Sequence, residues 1–287
     1  MNQPPRSHEI FKALSLLRPY DTNSMAKRRV GPNHDGGYVL FDDFDNISTV
    51  YSFGIGQQTE FDRAFAEMGK QLYMFDHTIS DILQPHDNFH FFRQGISGRN
   101  DPEQSIFTLD HHIEQCGHKG CTDLALKMDV EGAEYEAFIE ASIETLTQFR
   151  QIVMEVHWLS RLVEPTFRSE FVDCLEKINS KFTLCHVHAN NCAPVIVIDG
   201  YVVADVLELT FVRSDLVEST CSQTVYPSSI DHANAWWLPD HLLWFYPFLP
   251  MNLRDEKEAD KAINASLVAA EQTVLAYQAN VQAETPS

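Results

Sequence analysis

Four apolar segments of this chain carry polar side chains two residues apart, the spacing that puts both on one face of a β-strand. The pairs are Asp129 with Glu131, Glu155 with His157, His186 with His188 (Asn190 follows in step), and Glu208 with Thr210. Central strands of a parallel sheet are usually apolar on both faces. Polar groups in this pattern therefore imply a wet, ionisable pocket above the sheet. A neutral histidine there can take a proton from a hydroxyl near pH 7, and a neighbouring carboxylate fixes its tautomer. On that chemistry His157 is the first candidate base and His188 the second, with Asp129 and Glu155 as acidic partners. Asp129, His157 and His188 also have the donor types of a divalent-metal site, a reading held open but not favoured over a metal-free network. Lys127 is given no role.

A second group of residues suits a ligand. The apolar run Val50-Tyr51-Ser52-Phe53 breaks into Gly54-Ile55-Gly56, and a second run, Leu72-Tyr73-Met74-Phe75, ends on Asp76 about twenty residues on. Small residues at a strand end let a ligand touch the backbone, and an acid at the next strand tip can accept hydrogen bonds from a ribose. A dinucleotide fingerprint needs a third glycine three residues after Gly56, where this chain has Thr59. Without it, a nucleoside cofactor lacking phosphates fits better, and S-adenosylmethionine is the leading candidate. An NAD-linked oxidoreductase using Gly54, Gly56 and Asp76 is the competing enzyme class.

The elements that must position these residues alternate. A short helix near 7–18 and a glycine turn at Asp35-Gly36-Gly37-Tyr38 come first. Strands are expected at 48–55, 71–76, 89–96, 123–130 and 151–158, with helices near 59–69, 104–116, 133–147 and 166–180. This rhythm predicts an α/β fold with a mostly parallel sheet. Phe182–His188, Pro194–Ile198, Tyr201–Val203 and Val206–Arg213 follow as strand after strand and predict an antiparallel edge. The expected divisions are a cap at 1–45, a catalytic domain at 46–213, an aromatic segment at 214–255 and an amphipathic helix at 256–287. Ile263, Leu267, Ala270, Val274, Tyr277 and Val281 give that helix a stripe suited to a homodimer contact or to intramolecular docking.

Composition narrows the partners. With 41 acidic against 21 basic residues the formal net charge is −20, a field that repels a phosphate backbone and excludes nucleic acid as the expected substrate. Six cysteines without CxxC spacing read as reduced thiols. The N-terminus lacks an apolar signal core, and no apolar run reaches membrane length, so a soluble cytoplasmic protein is expected.

The run Lys127-Met128-Asp129-Val130-Glu131-Gly132-Ala133-Glu134, followed by Met154-Glu155-Val156-His157, resembles the signature of the FkbM-type methyltransferases. Asp35-Gly36-Gly37-Tyr38, Tyr51-Ser52-Phe53-Gly54-Ile55-Gly56 and His188-Ala189-Asn190-Asn191 look like a divergent branch, and the resemblance covers about residues 28–213. It implies a Rossmann-like, seven-stranded methyltransferase sheet, S-adenosylmethionine as cofactor, and methylation of oxygen, often on a sugar or other small polar acceptor. By position, it implies Gly54 and Gly56 at the methionine part and Asp76 at the ribose. Gln94, Gly95 and Ile96 would border the adenine, and Asp129 would stand between cofactor and substrate. Ser52 or Phe53 occupies the position where the family has an acidic residue, which leaves Asp35 or Glu60 for the cofactor's amino group. That departure keeps a non-enzymatic reading open, a degenerate methyltransferase fold retained as a binding or scaffold module.

Overall fold

The structure, a computed structural model, describes residues 6–22 and 25–250. The amphipathic helix predicted at 256–287 lies outside these residues. In chain order the first elements are α1 (Arg6–Ser15), β1 (Tyr20–Thr22), β2 (Lys27–Val30), β3 (Tyr38–Phe41), β4 (Thr49–Phe53), α2 (Glu60–Glu67), β5 (Gln71–Phe75) and β6 (Phe89–Phe92). There follow β7 (Gly95–Ile96), β8 (Ile106–Phe107), α3 (Leu109–Gln115), β9 (Leu124–Met128), α4 (Glu134–Glu140), α5 (Ile143–Leu146), β10 (Phe149–Val156) and α6 (Pro165–Asn179). The last are β11 (Phe182–Ala189), β12 (Val195–Ile198), β13 (Tyr201–Ala204), β14 (Leu207–Arg213) and β15 (Ser219–Cys221).

Seven strands form one sheet in the order β11-β14-β10-β9-β4-β5-β6. Every residue of β4 and β9 is buried, as expected of strands covered on both faces. From β6 through β5, β4 and β9 to β10 the neighbours run parallel, while β14 is antiparallel to both β10 and β11. The chain winds from β4 outward to β6, then returns to place β9 on the other side of β4. The crevice for a ligand in such a sheet opens at this reversal, above the carboxyl ends of β4 and β9. One core lies between the sheet and α1, α3, α4 and α6; the other joins it to α2 and the β2–β3 hairpin.

The hairpin is fastened to the sheet by side chains. Gln151, fully buried on β10, accepts from the Phe41 N–H at 2.8 Å and donates to the Phe41 carbonyl at 2.9 Å. Thr210 on β14 donates to the Val39 carbonyl at 2.5 Å. All three bonds sit where strand-to-strand pairing is absent, so they satisfy backbone groups that burial would otherwise penalise. They also bring Tyr38, at the end of the glycine turn, over the carboxyl end of β9.

Four predicted elements take a different form. The strand expected at 89–96 ends at Phe92, where the Gln94 N–H donates back to the Phe92 carbonyl at 2.8 Å; Gly95 and Ile96 then pair with Ile106 and Phe107. The helix expected from 104 starts at Leu109, where the Thr108 hydroxyl caps it. The helix expected at 133–147 breaks at Ala141, which is extended, because Asp110 on α3 accepts from the Ser142 N–H at 2.8 Å and the Thr145 hydroxyl at 2.7 Å. Of the four late strands, β12 and β13 pair only with each other, away from the main sheet. Residues 214–250 pack back on the domain: β15 pairs with β1, and Tyr246 stacks on Phe11 at 4.6 Å between ring centres. Trp236 and Trp237 stay 76% and 67% exposed. No helix among the described residues is long and apolar enough to cross a membrane.

Candidate functional site

The glycine loop leaves β4 with Gly54 at φ +72° and Gly56 at φ +55°, backbone that favours glycine. A Cβ on Gly54 would overlap the Asp129 carbonyl oxygen, whereas one on Gly56 would meet nothing within 4 Å. Lys127, 7% exposed, ties the two strand ends together. Its ammonium donates to the Gly54 carbonyl and, at 3.3 Å, to the Phe53 carbonyl, and it lies 3.5 Å from Asp129 Oδ2.

Asp76 stands at the tip of β5, but its carboxylate closes on the loop. One oxygen accepts from the Ile55 and Gly56 N–H groups at 3.0 and 2.8 Å, and the other from the Thr78 N–H and hydroxyl at 2.8 and 2.6 Å. Burial pushes this carboxyl up, and the bonds from Thr78, Gly56 and Ile55 outweigh it, holding the pKa below the usual value. Four donors fill the acceptor positions that a ribose would need. Beyond β6, Gln94 Oε1 is buried without a partner among the described residues, and the His77 ring covers Gly95. An unpartnered acceptor there and clear space beside Gly56 fit a nucleoside cofactor lying along the loop.

Beside the loop, β9 and β10 deliver an acidic cluster around one imidazole. His157 Nε2 lies 3.4 Å from Glu155 Oε2, 3.5 Å from Glu131 Oε2 and 3.8 Å from Asp129 Oδ1. Its Nδ1 faces Glu134 Oε1 at 3.2 Å, and the same oxygen accepts from the His157 N–H at 3.1 Å. Glu131 at φ +53° and Gly132 at φ +101° turn the chain sharply, so Glu134, fully buried at the start of α4, returns beneath the ring. Its other oxygen accepts from the Gly132 N–H at 2.7 Å. Tyr38 donates to Asp129 Oδ2 at 2.9 Å and Asn190 to Glu155 Oε1 at 2.7 Å.

These surroundings set the protonation. Burial pulls His157 down, but bonds and charge from Glu134 and Glu155 overcome it and push the ring up to about 11. Burial pushes Glu155 up to about 8, with His157 opposing and the charges of Asp129 and Glu208 adding. Burial also raises Asp129, yet Lys127, His157 and the hydroxyl of Tyr38 bring it below the usual value. The cluster thus favours an ionised Asp129, binds the proton of Glu155 more tightly than an ordinary carboxylate does and favours the charged form of His157.

His188 lies on β11 among different partners. Its Nδ1 is 3.1 Å from Glu208 Oε2, and its Nε2 is 3.1 and 3.2 Å from the two oxygens of Asp240. Asn234 donates to Glu208 at 2.7 Å and to Asp35 at 3.0 Å, and Asp231 meets His186 Nε2 at 2.7 Å. Burial lowers the pKa of His188, while Glu208 and Asp240 together raise it to about 10. A folded-state value above the unfolded value of about 6.5 stabilises the protein fully below pH 6.5 and is lost as pH rises toward 10. The urea midpoint is therefore expected to fall across this window, and to fall less in His188→Asn.

The structure thus brings Asp129, Glu155 and His157 together beside Gly54 and sets His188 apart under the chain's late segment. Lys127, Glu134, Asn234 and Asp240 were missed. A signal for Lys127 existed, since it stands two residues before Asp129, the same-face spacing that marked the other pairs. Glu134 is hidden by the left-handed turn before it. Asn234 and Asp240 arrive from a segment with no periodic pattern.

Comparison with known proteins bears on this arrangement. No curated protein matches the sequence. Among solved structures, a chain of a fibrillarin/Nop5p complex is similar at 9% identity and TM-score 0.37, over 58% of this chain and 73% of that one. A putative rRNA-methylase from Clostridium thermocellum is similar at 12% identity and TM-score 0.34, over 74% and 98%. The family model of the methyltransferase FkbM domain matches residues 30–178, just over half of the chain, from the end of β2 through most of α6. It takes in the glycine loop, Lys127 and the whole Asp129–Glu155–His157 cluster, and the chain belongs to the FkbM methyltransferase family.

Proposed function

We propose that this protein uses S-adenosylmethionine to methylate a hydroxyl oxygen on a small polar acceptor, a sugar being the first class to try. The observation that carries the reading is the direct junction of the two half-sites: Lys127 bonds the Gly54 carbonyl of the cofactor loop and lies beside Asp129 of the acidic cluster. When bound, S-adenosylmethionine supplies a methyl group on a cationic sulfur that is already a good leaving group. Gly54 and Gly56 line the methionine side, and Gln94, Gly95 and Ile96 the base side. Asp76 holds the loop in shape. Asp129 stands at the boundary, where its charge offsets a cationic sulfur. The ionised fraction of Glu155, whose pKa burial raises to about 8, is matched to receive a hydroxyl proton. His157 takes the part of a charged positioning group, since the ring that was expected to act as base already carries its proton. His188, engaged at both nitrogens, fastens the late segment over the acceptor side. Six free cysteines suit a cytoplasmic setting, and the charge of −20 suits an acceptor without a phosphate backbone.

One observation favours the scaffold reading: the acceptor positions of Asp76 are filled by its own loop. Isothermal titration decides. Micromolar binding of S-adenosylmethionine with none of NAD supports the enzyme and justifies an acceptor screen starting with sugars. No heat with either, from a folded sample, moves the protein to the scaffold class.

A further inference from the structure

The three groups nearest the centre of the cluster share one construction. Each uses one polar atom on a fixed protein partner and turns the other inward. Asp129 gives Oδ2 to the Tyr38 hydroxyl at 2.9 Å and turns Oδ1 in. Glu155 gives Oε1 to the Asn190 amide at 2.7 Å and turns Oε2 in. His157, 4% exposed, gives Nδ1 to Glu134 at 3.2 Å and turns Nε2 in. The three inward atoms lie within 4.8 Å of one another. Nε2 stands 3.4, 3.5 and 3.8 Å from carboxylate oxygens of Glu155, Glu131 and Asp129, all beyond the ordinary N–H···O distance of about 2.7–3.2 Å.

We propose that Asp129 Oδ1, Glu155 Oε2 and His157 Nε2 bind one divalent cation, with Glu131 at the open side. Donors on an octahedral ion with bonds of about 2.1 Å sit about 3 Å apart, so Glu155 Oε2 and Asp129 Oδ1, at 3.4 and 3.8 Å from Nε2, need close on it by less than about 1 Å. The charge is suitable: four carboxylates face one lysine and one histidine, so a protonated ring leaves the cluster negative. Lys127 does not compete, because it lies on Oδ2, the oxygen turned away. Binding the ion releases the Nε2 proton of the imidazolium to solvent, and Glu134, in the usual place of a carboxylate behind a ligating histidine, then holds the Nδ1–H tautomer whose Nε2 lone pair faces inward. Two carboxylates and one imidazole suit Mn²⁺ or Mg²⁺. Three protein donors leave positions for water and for an oxygen of the acceptor, whose hydroxyl would be made more acidic there. This deepens the methyltransferase reading by replacing Glu155 as proton acceptor with a cation that polarises the acceptor, yet cation binding does not require that reading.

The test is Mn²⁺ titration of the full chain, stripped with chelator and free of cofactor, followed by the loss of the free-ion EPR signal. One ion per chain at micromolar affinity is expected, with a matching rise in melting temperature. Asp129→Asn and Glu155→Gln, which keep side-chain volume, are each expected to weaken binding more than about tenfold, and Tyr38→Phe by about tenfold. Weak uptake of several ions, unchanged in these variants, means surface carboxylates only and overturns the proposal. So does an unmodified chain that takes up no ion. S-adenosylmethionine is titrated separately: heat from it without Mn²⁺ uptake defeats the cation site alone, and Mn²⁺ uptake without that heat defeats the cofactor reading alone.

Discussion

Lys127→Met is expected to destabilise the protein by about 3–5 kcal/mol and to weaken S-adenosylmethionine binding roughly tenfold or more. Methionine matches the length and burial of lysine but donates nothing. The Gly54 and Phe53 carbonyls would lose a charged donor, and Asp129 would lose its nearest permanent cation. Removing one partner from a buried charged set costs far more than an exposed pair is worth, because the groups left behind cannot recover water. The affinity is expected to fall as well, since this ammonium helps hold the proposed cofactor loop to the end of β9. Urea unfolding measures the first effect and calorimetric titration the second. A stability loss under about 1 kcal/mol would mean that Lys127 only fills space.

The two glycines of the loop are expected to respond very differently to alanine. Gly54→Ala must place a Cβ against the Asp129 carbonyl in a left-handed backbone, so β4 and β9 have to separate at their ends. A loss of more than about 3 kcal/mol is expected, together with loss of cofactor binding. Gly56→Ala carries the same backbone penalty, about 1 kcal/mol, and has open space for the methyl. It should fold nearly as well as the parent and lose affinity only because its new methyl occupies the cofactor's side of the loop. Equal stability losses in the two variants would contradict this division.

Much of the architecture was legible because the residues that build it act locally. Apolar runs such as Leu124-Ala-Leu-Lys-Met128 mark strands covered on both faces, and the alternation of runs and helices fixes their parallel pairing. The glycine loop and the Lys127–Glu134 run were legible for the same reason, being continuous in sequence. What stayed hidden depends on partners far along the chain. Nothing near Ser142 announces that Asp110 will break the helix there, and nothing near Pro194 shows that β12 and β13 leave the sheet. The protonation of His157 was misjudged because it depends on Glu134, which looks in the sequence like an ordinary first residue of a helix.

The bond between Asp35 and Asn234 closes 199 residues of chain, and Asp240 reaches back 52 residues to His188. During synthesis every strand of the main sheet, and with it the glycine loop, is made before Asn234 and Asp240 are. The strands and the glycine loop are therefore made first, and the segment that covers His188 and Glu208 is added afterwards. Order of manufacture thus separates the two halves of the site, and a product truncated before Asn234 would keep the glycine loop while leaving Glu208 and His188 without Asn234 and Asp240.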